Sequence, residues 1–281
     1  MVLEILELGF MQRALIAGVA VAITASVIGL FLVLRRNSLF GDALSHVAFG
    51  GIAVGLVANI YPLWTGIAFS VLGALGITKL RQSAKIPADA TVAILLAGGL
   101  AIGMLLSSIS PSGNLVNIFS YLFGSILIVS VEDTIAILAM AGAVLAIVIM
   151  LYRQFMYVTF DEEQAKVSGL SISQLSYLFA VLASVSVIVS MRLVGILLVS
   201  SLIVIPNVTA LLLGKGFKKT ALISVGISVF SVVTGIAVSY AANFPPSATI
   251  VIVLIAVFLT TLAARYSSKK QMEEKLEAAK S

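Results

Sequence analysis

With 281 residues, of which 60% are hydrophobic and 10% charged, the chain is too apolar for a water-soluble domain, where about 25% of residues carry charge. Its net charge of +5 comes from Lys and Arg placed between apolar runs, the pattern that orients a membrane protein, and this argues against a nucleic-acid partner. The absence of cysteine removes disulfides and thiolate metal ligands from consideration.

A mean hydropathy of +1.18 and runs reaching the roughly 20 residues that cross about 30 Å of hydrocarbon make the bilayer the main solvent. The runs are continuously apolar rather than alternating, so the expected fold is an all-α integral membrane protein and not a barrel. The first run, Leu15 to Leu34, is too long for a secretory signal and lacks a small-residue cleavage site, so it reads as a retained span. Further spans are expected near Ala43 to Ile60, Leu63 to Ile77, Thr91 to Ser107, Thr134 to Leu151, Leu175 to Val189, Leu193 to Leu213, Ala221 to Ala241 and Thr249 to Ala264. That makes about nine, with eight as the alternative, and the stretch from Asn117 to Val131 reads as a partial or re-entrant helix. Residues 1–266 form a polytopic transmembrane domain with a cytoplasmic segment at 157–173, and 267–281 form a charged cytoplasmic tail.

Lys and Arg test the topology, because cytoplasmic loops hold the excess. The clusters are Arg35 with Arg36, Lys79 with Arg81 and Lys85, Arg153 with Lys166, Lys215 with Lys218 and Lys219, and the tail from Arg265. They fall after every second crossing. Nine spans with the N-terminus outside and the C-terminus cytoplasmic leave just Arg13 and Arg192 on the outer side.

Ionisable groups inside a bilayer cost about 2.5–3.5 kcal/mol each on insertion scales, so each needs a reason. Glu4 and Glu7 precede the first span, Asp161, Glu162 and Glu163 lie in the cytoplasmic segment, and Glu273, Glu274 and Glu277 lie in the tail. What remains is Asp42, Asp89, Glu132, Asp133 and the one histidine, His46. Asp42 and His46 are four apart and share a helix face one turn from each other, with Ser45 bordering it. A carboxylate oxygen and a neutral imidazole nitrogen suit a borderline divalent ion such as zinc or manganese. Two ligands per chain bind weakly, as a conduit requires. The alternative is structural: Asp42 caps the helix, and His46 hydrogen-bonds to it and locks two spans together. Asp89, after Pro87, reads as a helix cap, and Glu132 and Asp133 as interfacial residues at a helix start, where the dipole favours negative charge. Glycines inside the spans, Gly51 with Gly55 and Gly98, Gly99 with Gly103, read as close helix packing.

Between Tyr157 and Ser173 the stretch Thr159-Phe-Asp-Glu-Glu-Gln-Ala-Lys-Val-Ser-Gly169 predicts a short helix beneath the membrane, capped by Thr159 and ended by Gly169, or else a solvated linker. No G-x-x-x-x-G-K-[ST] phosphate loop exists in the chain, so coupling to a nucleotide needs another subunit.

Several segments together resemble the permease subunits of bacterial ATP-binding-cassette transporters that import zinc or manganese. They are Leu34-Arg-Arg-Asn-Ser-Leu-Phe-Gly-Asp-Ala-Leu-Ser-His46, Ser120-Tyr-Leu-Phe-Gly-Ser125, Thr159 to Gly169, and Val194-Gly-Ile-Leu-Leu-Val-Ser-Ser-Leu-Ile-Val-Ile-Pro206. Phe10-Met-Gln-Arg-Ala14 and Phe160-Asp-Glu-Glu look more like the zinc branch. The resemblance implies a type II importer-like permease in the bacterial inner membrane, working as a homodimer with cytoplasmic ATP-binding subunits and an extracytoplasmic metal-binding protein. It further implies no enzymatic chemistry and no cofactor in this chain, the zinc or manganese ion being cargo. By the same resemblance Asp42 and His46 match an intramembrane metal pair, with Ser45 and Asp89 as secondary candidates, and Asp161, Glu162, Glu163, Ala165 and Gly169 fall in the segment that docks on the ATPase. Asn207 after Pro206, and Phe244-Pro-Pro-Ser-Ala-Thr249, depart from the family pattern. The readings that compete with a metal permease are a permease for a metal chelate or vitamin, and a proton-driven secondary transporter with Asp42 and His46 as its relay.

Overall fold

The structure, a computed structural model, describes residues 9–83, 86–109, 121–124, 130–196 and 199–278, and their side chains except at 88, 192, 193 and 268–278. Its helices are α1 (Gly9–Leu34), α2 (Phe40–Ala58), α3 (Pro62–Ser83), α4 (Ala88–Ile109), α5 (Val131–Met150), α6 (Tyr152–Phe160), α7 (Glu162–Val167), α8 (Ile172–Val194), α9 (Val199–Leu212), α10 (Phe217–Ala242) and α11 (Pro246–Ala278). Among the described residues, eight helices are long and apolar enough to cross a membrane, and α9 is a shorter apolar one. Glu4, Glu7, Lys85, the Arg192 side chain and most of the partial helix expected between Asn117 and Val131 lie outside the described residues.

Burial sorts the helices. About 67% of the span of α1 and 72% of that of α2 are buried within the chain, against 17% for α4, so α1 and α2 form the interior and α4 a flank. Around α1 pack α10, α9, α5 and α8, while α2 is held between α3 and α4. Where lipid supplies no hydrophobic drive, close approach of backbones does the work, and the glycines show where. A Cβ on Gly51 would lie 2.6 Å from both Thr65 O and Phe69 Cβ of α3. Gly98, by contrast, meets nothing within 4 Å among the described residues, so it packs against no other helix of this chain there.

Side-chain contacts fix the direction of each helix. Phe31, near the end of α1, meets Phe217 at the start of α10, while Gly18 faces Val232 and Ile236, so the two run antiparallel. Phe31 also meets Phe179, early in α8, and Phe155 of α6, in a tilted aromatic cluster with centroids 5.4–6.1 Å apart. Such pairs contribute about 0.5–1.5 kcal/mol each beyond area burial. At the same end, Arg81 of α3 donates to Asn37 Oδ1 in the α1–α2 turn (2.6 Å), and Arg35 Nε donates to Thr159 Oγ1 (3.0 Å). One face therefore gathers the α1–α2 turn, the end of α3, the α6–α7 segment and the α9–α10 turn, together with their basic residues. On the opposite face Tyr61, after α2, donates to Asp133 Oδ1 at the start of α5 (2.8 Å).

One expectation changes. The span predicted from Leu193 to Leu213 is broken: α8 continues to Val194, Gly195 turns with φ +79°, and α9 covers only 14 residues, about 21 Å of helix against roughly 30 Å of hydrocarbon. Because α8 and α10 both start on the basic face, the chain runs back between them through α9, so the described residues hold eight helices of spanning length and one shorter apolar helix. The charged tail after residue 266 is helical in its backbone, as α11 runs unbroken to Ala278.

Candidate functional site

The α1–α2 turn delivers Asp42 and His46 into the interior. α1 ends as Arg36 enters the left-handed region (φ +56°) while its N–H reaches Val33 O (3.0 Å) and Asn37 N–H reaches Leu32 O (2.8 Å), which satisfies the last carbonyls of the helix. α2 then begins after Leu39, whose side chain cannot cap it. Asp42 lies in the first turn, half-buried, where the helix dipole favours its charge, but it makes no cap hydrogen bond. The capping role open to Asp42 from sequence is therefore not the one it has.

His46 follows one turn later and is 8% exposed, with its Nδ1 enclosed and without a hydrogen-bond partner. It does not lock onto Asp42 through that nitrogen. Buried hydroxyls of Ser186, Ser228 and Ser231 are unpartnered too, but the comparison separates them. A serine can swing to the carbonyl one turn back, as Ser45 does to Gly41 O (2.8 Å) and Ser190 to Ser186 O (2.8 Å). An imidazole in a helix has no such recourse.

The pair is held firmly. Gly99 of α4 presses on the α2 backbone at this level: a Cβ there would lie 2.6 Å from His46 C and Val47 N. On the other side, Ser70 of α3 reaches Leu44 O at 3.5 Å. Ser45 turns back to Gly41 O and is fully buried, so its hydroxyl is spent on its own helix. Asp89 is not brought to the pair: it lies in a cavity on the basic face with Arg35, Arg36 and Arg81. Among the described residues no group of three or more His, Asp or Glu side chains gathers closely enough to hold a metal ion.

Glu132 and Asp133 sit as expected at a helix start. Ser130 and Asp133 form a reciprocal capping box, and Asp133, buried, also accepts from Tyr61. In the segment between α5 and α8 a short helix does form, but its cap is Asp161, which accepts from Gln164 N–H (2.8 Å). Thr159 is too early: its hydroxyl donates to Phe155 O (2.6 Å) and accepts from Arg35. The end is as predicted. Gly169 has φ +83°, and Gly169 N–H to Lys166 O and Leu170 N–H to Ala165 O, both 3.1 Å, close the helix. Glu162 and Glu163 are exposed and Ala165 is fully buried against the body.

Two polar features were not readable as sites. Arg35 counted only as a topogenic charge, yet it joins segments 124 residues apart. Asn207, noted only as a departure, is fully buried, donates to Ile203 O (2.7 Å) and accepts from Ser224 (2.7 Å), which pairs with Ser26 (2.8 Å). It ties α9, α10 and α1 together. Thr249, in the other departure, donates to Gly235 O (2.8 Å) and fastens α11 to α10.

Comparison with known proteins gives three consistent results. The family model "ABC 3 transport family" matches residues 7–265. A Treponema pallidum protein named "Probable metal transport system membrane protein" is 33% identical over 92% of this chain and 96% of its own, and the "Manganese transport system membrane protein MntC" of Listeria monocytogenes is 30% identical over 90% of each. Among solved structures, PsaBC from Streptococcus pneumoniae in complex with Fab superposes with a TM-score of 0.83 at 29% identity, covering 93% of this chain and 95% of that one.

Proposed function

The chain belongs to the ABC 3 transport family, and we propose that within it this protein is the membrane permease of an importer that carries divalent metal ions into the cytoplasm, with Asp42 and His46 as the transient ligands. The observation that carries this reading is the enclosed, unpartnered Nδ1 of His46 one turn from a half-buried carboxylate. Burying an unsatisfied polar group costs about 1–3 kcal/mol, and a passing cation is a partner that would recover it. Two donors hold an ion only weakly, which lets it leave. ATP hydrolysis belongs to separate cytoplasmic subunits, two permease copies form the conduit, and an extracytoplasmic protein delivers the ion. The basic face is then cytoplasmic, the N-terminus outside and the C-terminus inside, in a bacterial inner membrane.

Oxygen and imidazole nitrogen accept either zinc or manganese. Zinc is favoured by the segments at Phe10 to Ala14 and Phe160 to Glu163; manganese is the second reading, from the names of relatives such as the Listeria protein. Uptake of radioactive zinc and manganese, each competed by the other, in proteoliposomes holding permease, ATPase and binding protein tests both choices. The wild type should accumulate metal with ATP, and the Asp42→Ala, His46→Ala double variant should fall to the protein-free background. Unchanged uptake in that variant at equal protein would sink the ligand role. Competition by a chelate or vitamin would favour the larger-cargo reading, and uptake driven by a proton gradient without ATP the secondary-transporter one.

A further inference from the structure

The turn that leads into the metal pair is itself gripped by the segment that lies under the membrane. Arg36 holds φ +56° although it carries a side chain, a conformation costing about 1–2 kcal/mol that persists where the surroundings impose it. Two side-chain contacts hold the residues on either side of it. Asn37 accepts from Arg81 (2.6 Å), and Arg35 donates through Nε to Thr159 Oγ1 (3.0 Å) while its guanidinium stacks 4.7 Å over the Phe179 ring. Thr159 stands in the last turn of α6, two residues before Asp161 caps α7. From α7 to Asp42 the path is thus Asp161, Thr159, Arg35, the turn at Arg36, and the first turn of α2.

The link also has room to change. A cavity of about 790 Å³, lined in part by Arg35, Arg81, Asp89, Thr159 and Glu162, opens beside it. Arg35 Nη2 is enclosed and unpartnered. Burial lowers the Arg35 pKa, and the charge of Glu162, the first residue of α7 and a neighbour on the cavity wall, opposes this. A guanidinium presents five donors in a fixed fork and so can keep one partner while gaining another.

We propose that Arg35 is a positioning residue that ties α6–α7 to the α1–α2 turn, so that displacement of α7 moves α2 and with it Asp42 and His46. This rests on the reading that α7 docks on an ATPase subunit. A serine at 159 keeps the acceptor, and a valine of nearly the same shape removes it. The measurement is ATP hydrolysed per metal ion accumulated, in proteoliposomes of the full complex, for wild type, Thr159→Val, Thr159→Ser and Arg35→Lys. Thr159→Val and Arg35→Lys should raise that ratio several-fold with little change in hydrolysis rate or in unfolding temperature of the complex, and Thr159→Ser should stay near wild type. The link is overturned if Thr159→Val keeps the wild-type ratio, or if its uptake and hydrolysis fall together with the unfolding temperature, as a purely structural contact predicts. A wild-type complex without ATP-dependent metal uptake would instead overturn the permease reading, and the link with it.

Discussion

Gly99→Ala tests how tightly the helix carrying Asp42 and His46 is held. The added methyl would meet backbone, not the far end of a side chain: His46 C and Val47 N at 2.6 Å and His46 O at 2.7 Å. Carbon contacts are comfortable at about 3.5 Å or more, so α4 and α2 must part by close to 1 Å at the level of His46. Overpacking of this kind costs about 1–3 kcal/mol. Replacing a helical glycine by alanine also gains about 1 kcal/mol of intrinsic propensity, so the packing cost is isolated by comparison with glycines that gain the propensity and meet nothing. Gly98, one residue away, and Gly226 of α10 are such positions. Thermal unfolding of the purified chain should place Gly99→Ala about 1–3 kcal/mol below Gly98→Ala and Gly226→Ala, and metal uptake should fall in Gly99→Ala alone. Equal unfolding midpoints for all three would refute the close approach of α4 to the backbone at His46.

Protonation removes the imidazole lone pair, so uptake through His46 should fall as pH drops below about 6; uptake that is flat down to about pH 5 would count against direct ligation. Asn207→Leu removes both hydrogen bonds that tie α9 to α10 and to its own backbone, and should lower stability by about 1–2 kcal/mol, read from thermal unfolding. Gly169→Ala places a side chain at φ +83° and should cost about 1–2 kcal/mol locally, seen as faster hydrogen exchange of the α7 amides while the membrane helices stay protected.

Much of this architecture was legible because hydrocarbon leaves few choices: runs of about 20 apolar residues must be helices, and alternation of the crossings then sends Arg35, Arg81, Lys166 and Lys218 to one face. The Asp42–His46 pair was legible for the same reason, since so few ionisable residues interrupt the runs. The break at Gly195 was not, because a glycine in an apolar run reads equally as a packing residue or a turn, and only its positive φ decides. Thr159 was misread as a cap because Asp161 also satisfies the cap pattern, and the pull of Arg35 on the Thr159 hydroxyl comes from a residue 124 positions away. Asn207 looked like a family departure, while its meaning lay in Ser224 and Ser26 on two other helices. These are tertiary facts that no local pattern encodes.

The contrast between Asn207 and His46 bears on function. Both are buried polar side chains on interior helices, and both interrupt apolar surroundings that penalise them. Asn207 is satisfied as donor and as acceptor within the chain, in bonds of 2.7 Å, so its burial is repaid by structure alone. His46 Nδ1 is not, although a shift of one rotamer would have served a serine in its place. Its neighbours do not yield to it either: Gly99 brings backbone against backbone there, which fixes the helix and leaves the imbalance at the ring. A carboxylate one turn from that nitrogen, on a helix held in place by Gly99, is the arrangement that the proposed weak, reversible cation site calls for.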